Sequence, residues 1–80
     1  MQLEIFTPDK KVYSGDVTSV SVPGAHGRFE MLKDHAAILS TLANGLVKIK
    51  DAEGEKTFDV KGGVVENLKN KIVILAESAG

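Results

Sequence analysis

The chain has 80 residues, which is room for one domain, because a second domain would need at least about 50 more. Its 10 basic and 11 acidic residues nearly cancel, which argues against binding to a nucleic-acid backbone. The absence of cysteine excludes disulfides, thiolate metal sites and thiol nucleophiles. No apolar run reaches signal-peptide or membrane-span length, so we expect a soluble chain that does not insert into a membrane.

The first predicted strands show the period-two alternation of a sheet with one buried face. Residues 3–7 place Leu3 and Ile5 on the same face, and Pro8-Asp9 ends this strand in a turn. Residues 10–14 are predicted to pair nearby. The chain therefore begins with two short strands.

Residues 17–22 read V-T-S-V-S-V, which predicts a half-buried strand with Val20 and Val22 inward and the serines outward. Pro23-Gly24 is predicted to end it. Residues 24–34 form the least regular stretch, and we interpret them as a loop that carries contacts.

The middle of the chain predicts a hairpin. Residues 38–42 are predicted as a strand, and Asn44-Gly45 supplies a tight turn into residues 46–49. A second turn at residues 51–54, interpreted as a solvated hairpin tip, leads into residues 56–61.

The last predicted strands are separated by glycines and a polar turn. Gly62-Gly63 indicates a bulge or a close approach of two backbones. Residues 67–70 form a turn, and the continuous apolar run in residues 71–76 predicts a strand buried on both faces. The whole pattern predicts an all-β fold, a small two-sheet β-sandwich or flattened barrel of about eight to ten short, mainly antiparallel strands.

Few residues offer catalytic or metal chemistry. The only imidazoles are His26 and His35, and the neighbouring Asp34 would point to the opposite face of a strand from His35. We therefore expect no catalytic, cofactor or metal site. Two alternatives stay open at this point: a lipoyl- or biotinyl-type carrier domain modified at Lys10, and a generic ligand-binding β-sandwich.

Short motifs follow one another from near Leu3 to Ala79. They are V-Y-S-G at residues 12–15, the segment at residues 20–27, D-H-A-A-I-L-S at residues 34–40, N-G-L-V-K-I at residues 44–49, G-G-V-V-E at residues 62–66 and N-K-I-V-I-L-A-E-S-A at residues 70–79. In this order they resemble the amino-terminal β-sandwich of the epsilon chain of F-type ATP synthases. The family's helical hairpin would begin where this chain ends, at Gly80, so we expect a single sandwich domain over residues 1–80 without a C-terminal helical domain.

The chain departs from the family pattern at residues 27–35, which read G-R-F-E-M-L-K-D-H. The family usually has about G-E-L-G-I-x-P-G-H there, so Arg28 occupies a position that is commonly acidic. We expect the backbone of this loop to differ from that of the family.

The resemblance implies a non-catalytic rotor subunit of the central stalk, peripheral to the cytoplasmic face of the bacterial inner membrane. Such a subunit links gamma to the polar loops of the c-ring and so couples proton translocation to ATP synthesis. By position, Arg28, Asp34 and His35 would face the c-ring loops, and Ser40 and Leu42 would lie towards gamma. Ordinary edge and core packing is the alternative for Ser40 and Leu42, and a hydrogen-bonded turn is the alternative for His35.

Overall fold

The computed structural model describes all residues, 1–80, as ten short β-strands without a helix. The strands are β1 (Gln2–Phe6), β2 (Lys11–Asp16), β3 (Ser19–Gly24), β4 (Gly27–Leu32), β5 (Ile38–Thr41), β6 (Gly45–Asp51), β7 (Gly54–Lys61), β8 (Val64–Leu68), β9 (Lys71–Leu75) and β10 (Ser78–Ala79). Since the structure contains no helix, it has none that is long and apolar enough to cross a membrane.

The strands form two five-stranded sheets. The first sheet has the order β2-β1-β9-β8-β5, and the second has the order β10-β7-β6-β3-β4. Only the β1–β9 pair is parallel, and every other pair is antiparallel. The prediction of an all-β, two-sheet sandwich is confirmed.

The core consists of 14 buried apolar residues between the two sheets. The alternation of the sequence places them there, since every second residue of a strand faces the same side. Leu3 and Ile5 of β1, and Val20 and Val22 of β3, are each 0% exposed. The inward faces predicted for these two strands are therefore confirmed.

Asn44-Gly45 does not form the predicted hairpin. β5 pairs with β8 in the first sheet, whereas β6 pairs with β3 and β7 in the second. The segment between them crosses from one sheet to the other, and the Ala43 amide donates to the Pro23 carbonyl at 2.8 Å. A local turn signal bends the chain, but burial of the flanking strands decides which sheet each one joins.

The interpretation of residues 24–34 as a loop is wrong over most of its length. Gly27–Leu32 is β4, which pairs with β3 along its whole length. Pro23 lies within β3 at no cost to the sheet, since the pairing with β6 ends at Ser21 and leaves no ladder position that needs the missing N–H. Ser19 was predicted to point outward but is only 8% exposed, being covered by strands on both sides.

The prediction that the last long strand is buried on both faces is also wrong. In β9 only Ile72 and Ile74 are buried, while Val73 is half-buried and Leu75 is 50% exposed. Nothing in the chain covers the outer face of the first sheet, so an apolar run here does not mean double burial.

The predicted close approach of backbones at Gly62-Gly63 is confirmed. A side chain at Gly63 would overlap the Leu75 carbonyl oxygen, and its Cβ would lie 2.8 Å from the Ala76 Cα. Gly63 also has a φ of +118°, a conformation that L-residues rarely adopt. Only glycine fits between β7 and β8 at this point.

Candidate functional site

The residues predicted to face the c-ring are distributed along β4 and the loop that follows it. Arg28 lies near the start of β4, and Asp34 and His35 follow its end. The chain is extended only from Arg28 to Leu32, which spans about 13 Å, and it then turns at residues 33–34. The structure therefore keeps Asp34 and His35 together and places Arg28 at the other end of the strand.

Arg28 is exposed, but its guanidinium group has fixed partners on the outer face of the second sheet. Nη1 donates to the Ser21 hydroxyl at 2.9 Å, and Nη2 donates to the Leu46 carbonyl oxygen. The side chain thus extends across β3 to the start of β6. Its charge stays at the surface while its direction is set by these two bonds.

Asp34 joins the loop after β4 to the β8–β9 turn. Its backbone N–H donates to Asn70 Oδ1 at 2.7 Å, and Asn70 Nδ2 donates back to Asp34 Oδ1 at 3.0 Å. Both residues have positive φ, 65° for Asp34 and 62° for Asn70, which suits short polar side chains. Sequence reasoning placed Asn70 in a turn but gave it no role, since a reciprocal bond over 36 positions leaves no local signal.

His35 supports the bend of the same loop. Its backbone N–H donates to the Leu32 carbonyl at 3.0 Å, and its ring Nδ1 lies 2.7 Å from the carbonyl oxygen of Ala36. A carbonyl oxygen only accepts, so this contact requires a proton on Nδ1. The hydrogen-bonded turn considered for His35 is present in the structure, and the ring remains half-exposed beside it.

The two residues predicted to lie towards gamma do not present free side chains. Ser40 is half-buried on the inner side of β5, with its hydroxyl donating to the Thr41 carbonyl at 3.0 Å. Leu42 is 6% exposed and belongs to the core. The accessible apolar residue of this strand is Leu39, which is 72% exposed. The alternation within β5 signals Leu39, but sequence reasoning did not select it.

A second cluster, absent from the sequence predictions, joins β2 to the β6–β7 hairpin. Asp51 accepts hydrogen bonds from the Tyr13 hydroxyl and from Lys56 Nζ, both at 2.8 Å. Lys56 Nζ also donates to Glu53 at 2.6 Å, and the ring of Tyr13 meets that of Phe58 edge-on with centroids 5.7 Å apart. The side chain of Asp51 is only 9% exposed, so this residue is not part of a solvated hairpin tip.

These bonds shift the ionisation of the three partners. The pKa of Asp51 falls to about 2, because Lys56 first and Tyr13 second donate to its carboxylate. The bond to Asp51, and then the bond to Glu53, raises the pKa of Lys56 above its usual range. Burial, followed by the bond to Asp51, raises the pKa of Tyr13. At neutral pH Asp51 and Lys56 are therefore charged, whereas Tyr13 keeps its proton and donates it to Asp51. Together they join β2, an edge strand of the first sheet, to the β6–β7 hairpin of the second.

The site residues do not form a metal-binding arrangement, since no group of three or more histidine, cysteine, aspartate or glutamate side chains converges in the structure. Lys10, the residue that a carrier domain would modify, is exposed, and its carbonyl accepts from the Thr7 amide at 2.9 Å in the β1–β2 turn.

Comparison with known proteins gives the family. Residues 1–80 match the family model described as the beta-sandwich domain of the ATP synthase delta/epsilon chain. The chain belongs to this family. The resemblance inferred from the sequence motifs is confirmed, and the carrier-domain alternative is not favoured.

Several ATP synthase epsilon chains are similar over nearly the whole chain. That of Caulobacter vibrioides is 37% identical over 79 residues, which cover 99% of this chain and 92% of the relative. That of Chlorobium limicola is 40% identical over 77 residues, covering 95% and 88%. The relative from Jannaschia sp. is longer: at 38% identity, the match covers 99% of this chain but 60% of that relative.

Solved structures share the family's fold. A chain of the Euglena gracilis mitochondrial ATP synthase, in a complex of OSCP, F1 and c-ring, superposes with a TM-score of 0.90 at 17% identity, covering 98% of this chain and 51% of that chain. A chain of the central stalk and c-ring of the Tetrahymena thermophila enzyme gives a TM-score of 0.82 at 19% identity, covering 99% and 64%.

Proposed function

We propose that this chain is a non-catalytic subunit of the central stalk of an F-type ATP synthase, where it links gamma to the c-ring. The observation that carries the proposal is the family match over residues 1–80. It is supported by the 37–40% identity to epsilon chains that this chain covers almost from end to end. The function assigned here belongs to the sandwich domain, residues 1–80.

A rotor subunit of this kind couples proton translocation to ATP synthesis by transmitting torque without deforming. The two sheets are suited to this task, since a closely packed core deforms little under load. The Asp51 cluster joins the sheets at one edge, and the Asp34–Asn70 pair joins the loop after β4 to the β8–β9 turn. Within the complex, the chain would be peripheral, at the cytoplasmic face of a bacterial inner membrane.

On the c-ring side, the proposal assigns contact with the polar loops to Arg28, Asp34 and His35. The three residues lie along β4 and the turn after it, and the extended part from Arg28 to Leu32 would follow the ring over about 13 Å. Charged side chains at the rim of such a contact steer the encounter more than they add affinity. On the gamma side the proposal assigns β5, with Ser40 and Leu42 packing the strand in place and Leu39 exposed beside them.

Single-cysteine variants test these assignments, because the chain has no cysteine of its own. Arg28→Cys, Asp34→Cys and Leu39→Cys would each be labelled with a thiol-linked photocrosslinker and assembled into ATP synthase in the source membranes. We expect the first two to crosslink to the c subunit and the third to gamma. Thr57→Cys, exposed on β7, is the control that should crosslink to neither.

Two results would contradict the proposal. If the unlabelled chain does not copurify with ATP synthase, the central-stalk function is wrong. If the chain copurifies but the variants crosslink to other subunits, the function stands and the assigned contact residues are wrong.

A further inference from the structure

All the residues other than glycine that have a positive φ lie at one end of the sandwich. They are Asp34, in the loop after β4, and Lys69 and Asn70, which form the two-residue turn between β8 and β9. Their φ values are 65°, 51° and 62°. Side chains other than glycine rarely adopt this conformation, and such residues cluster at functional sites. The loop and the turn are therefore candidates for a role beyond connecting strands.

Hydrogen bonds join the loop and the turn into one surface. The Asp34 N–H donates to Asn70 Oδ1 at 2.7 Å, and Asn70 Nδ2 donates to Asp34 Oδ1 at 3.0 Å. The Asn70 carbonyl also accepts from the Gln2 N–H at 2.9 Å, which fixes the turn against β1. Residues 33–35 and 69–70, here called the loop–turn surface, therefore hold a fixed shape although they are far apart in the chain.

The loop–turn surface carries more positive than negative charge. An exposed lysine precedes each of the two bonded residues, namely Lys33 in the loop and Lys69 in the turn. Neither lysine forms an ion pair within the chain. The one carboxylate of the surface, that of Asp34, already accepts a hydrogen bond from Asn70. Two cations are therefore available to a partner.

The fixed shape of the loop–turn surface restricts the kind of partner. An anionic membrane surface attracts lysines through charge alone and needs no fixed backbone conformation. A second copy of the chain would bring two cationic surfaces together, and these would repel each other. A strained and hydrogen-bonded backbone that holds two cations in place instead suits a protein whose carboxylates have fixed positions.

We propose that Lys33 and Lys69 bind carboxylates on the polar loops of the c-ring. The Asp34–Asn70 pair positions the two lysines for this contact. The inference rests on the proposed function, which assigns Asp34 and His35 to the c-ring side, and it adds the β8–β9 turn to that side. Asp34 and Asn70 are then positioning residues, and the two lysines determine specificity, because a loop without a carboxylate binds them less well.

Charge reversal tests the contact of the two lysines. ATP synthase depleted of this chain, in vesicles of phosphatidylcholine, would be titrated with the wild-type chain, Lys33→Glu, Lys69→Glu and the double variant. We expect affinity to fall about threefold in each single variant and about tenfold in the double variant, as for partly exposed ion pairs. Higher salt should weaken binding of the wild type more than binding of the double variant. Lys48→Glu, which reverses an exposed and unpaired lysine on the outer face of the second sheet, is the control and should bind like the wild type.

Exchange of the two positioning residues tests their role. Asn70→Asp alone leaves two carboxylates facing each other, and we expect it to bind about tenfold more weakly than the wild type. In the double variant Asp34→Asn/Asn70→Asp the amide and the carboxylate change places, so both hydrogen bonds form again at unchanged net charge. We expect this variant to regain the wild-type affinity to within about twofold. Thermal unfolding of the lysine variants should match the wild type, because both lysines are exposed and unpaired.

A rescue experiment identifies the partner carboxylate. A photocrosslinker on Lys69→Cys should react with a polar loop of the c subunit. Replacing the carboxylate of that loop with lysine should weaken binding of the wild-type chain and restore binding of Lys69→Glu, since the charges then match again in reversed order. A purely structural role of Lys69 would not produce this exchange of preference.

The binding results separate the proposed function from the contact of the loop–turn surface. If the wild-type chain does not rebind the depleted enzyme, the proposed function is wrong, and this inference fails with it. If the wild type rebinds and the lysine variants bind equally well, the function stands and the ionic contact with the ring is wrong. If the lysine variants lose affinity only in vesicles that contain phosphatidylglycerol, the lysines bind lipid headgroups and the assigned partner is wrong.

Discussion

Replacing Gly63 with alanine should remove a large part of the stability of the domain. Two costs combine at this position: a φ of +118°, and a Cβ that would overlap the Leu75 carbonyl oxygen and approach the Ala76 Cα to 2.8 Å. The backbone conformation alone costs about 1–3 kcal/mol for an L-residue. The steric overlap is with backbone, which cannot rotate away, and adds about 2 kcal/mol more. A domain of this size has only about 4–12 kcal/mol in total.

Gly54→Ala is the matched control that separates the two costs. Gly54 has a φ of +117°, almost the same as Gly63, but a Cβ there would meet nothing within 4 Å. We therefore expect Gly63→Ala to be less stable than Gly54→Ala by about 2 kcal/mol, or about 10 °C in melting temperature. Urea unfolding followed by circular dichroism measures both variants, and with a slope of about 1 kcal/mol/M the midpoints should differ by about 2 M.

If Gly63→Ala and Gly54→Ala lose the same free energy of unfolding, this reasoning is wrong. Such a result would mean that β8 and β9 separate at no cost and that φ strain alone accounts for the effect. The close approach at Gly63 would then not be what holds the β7–β8 connection against β9.

Two further substitutions test the polar interactions. Because Lys56 and Tyr13 hold the pKa of Asp51 at about 2, below its ordinary value of 3.8, the stability from this carboxylate is present above about pH 4 and is lost as the pH falls towards 2. Urea unfolding at pH 7, 4 and 2.5 should show that the free energy of unfolding depends less on pH in Asp51→Asn than in the wild type. Asp9→Asn, which replaces an exposed carboxylate, is the control and should show the wild-type dependence. The same pH dependence in the wild type and both variants would contradict the assignment. Asn67 is 1% exposed with no partner for Oδ1, so Asn67→Leu should raise the free energy of unfolding by about 1 kcal/mol, and a lower melting temperature would show that the amide is bonded after all.

Much of the fold is predictable from short-range patterns. The inward faces of β1 and β3, the turn at residues 51–54 between β6 and β7, and the close approach at Gly63 all follow from alternation and from the backbone properties of glycine and proline. The path of the chain after β5 does not, since Asn44-Gly45 signals a bend but not the sheet that the next strand joins.

The residues of the candidate site are also predictable from the sequence only in part. Arg28, Asp34 and His35 were selected from motifs, but the motifs do not show that β4 separates Arg28 from the other two. The two hydrogen bonds between Asp34 and Asn70 join positions far apart in the chain, and no sequence pattern near either residue predicts them. Partners of this kind are visible only once the sheets are assembled.

By itself, the sequence determined that the chain is all-β, which residues of most strands face the core, and which family it belongs to. Only the tertiary structure shows how the strands pair, that the Tyr13 hydroxyl donates to Asp51 across the two sheets, and that Leu75 is exposed although it lies in an apolar run. The physical reason is the distance along the chain over which each kind of interaction acts. Alternation and turn chemistry act between neighbours in the chain, whereas burial depends on what another strand, distant in sequence, covers or leaves open.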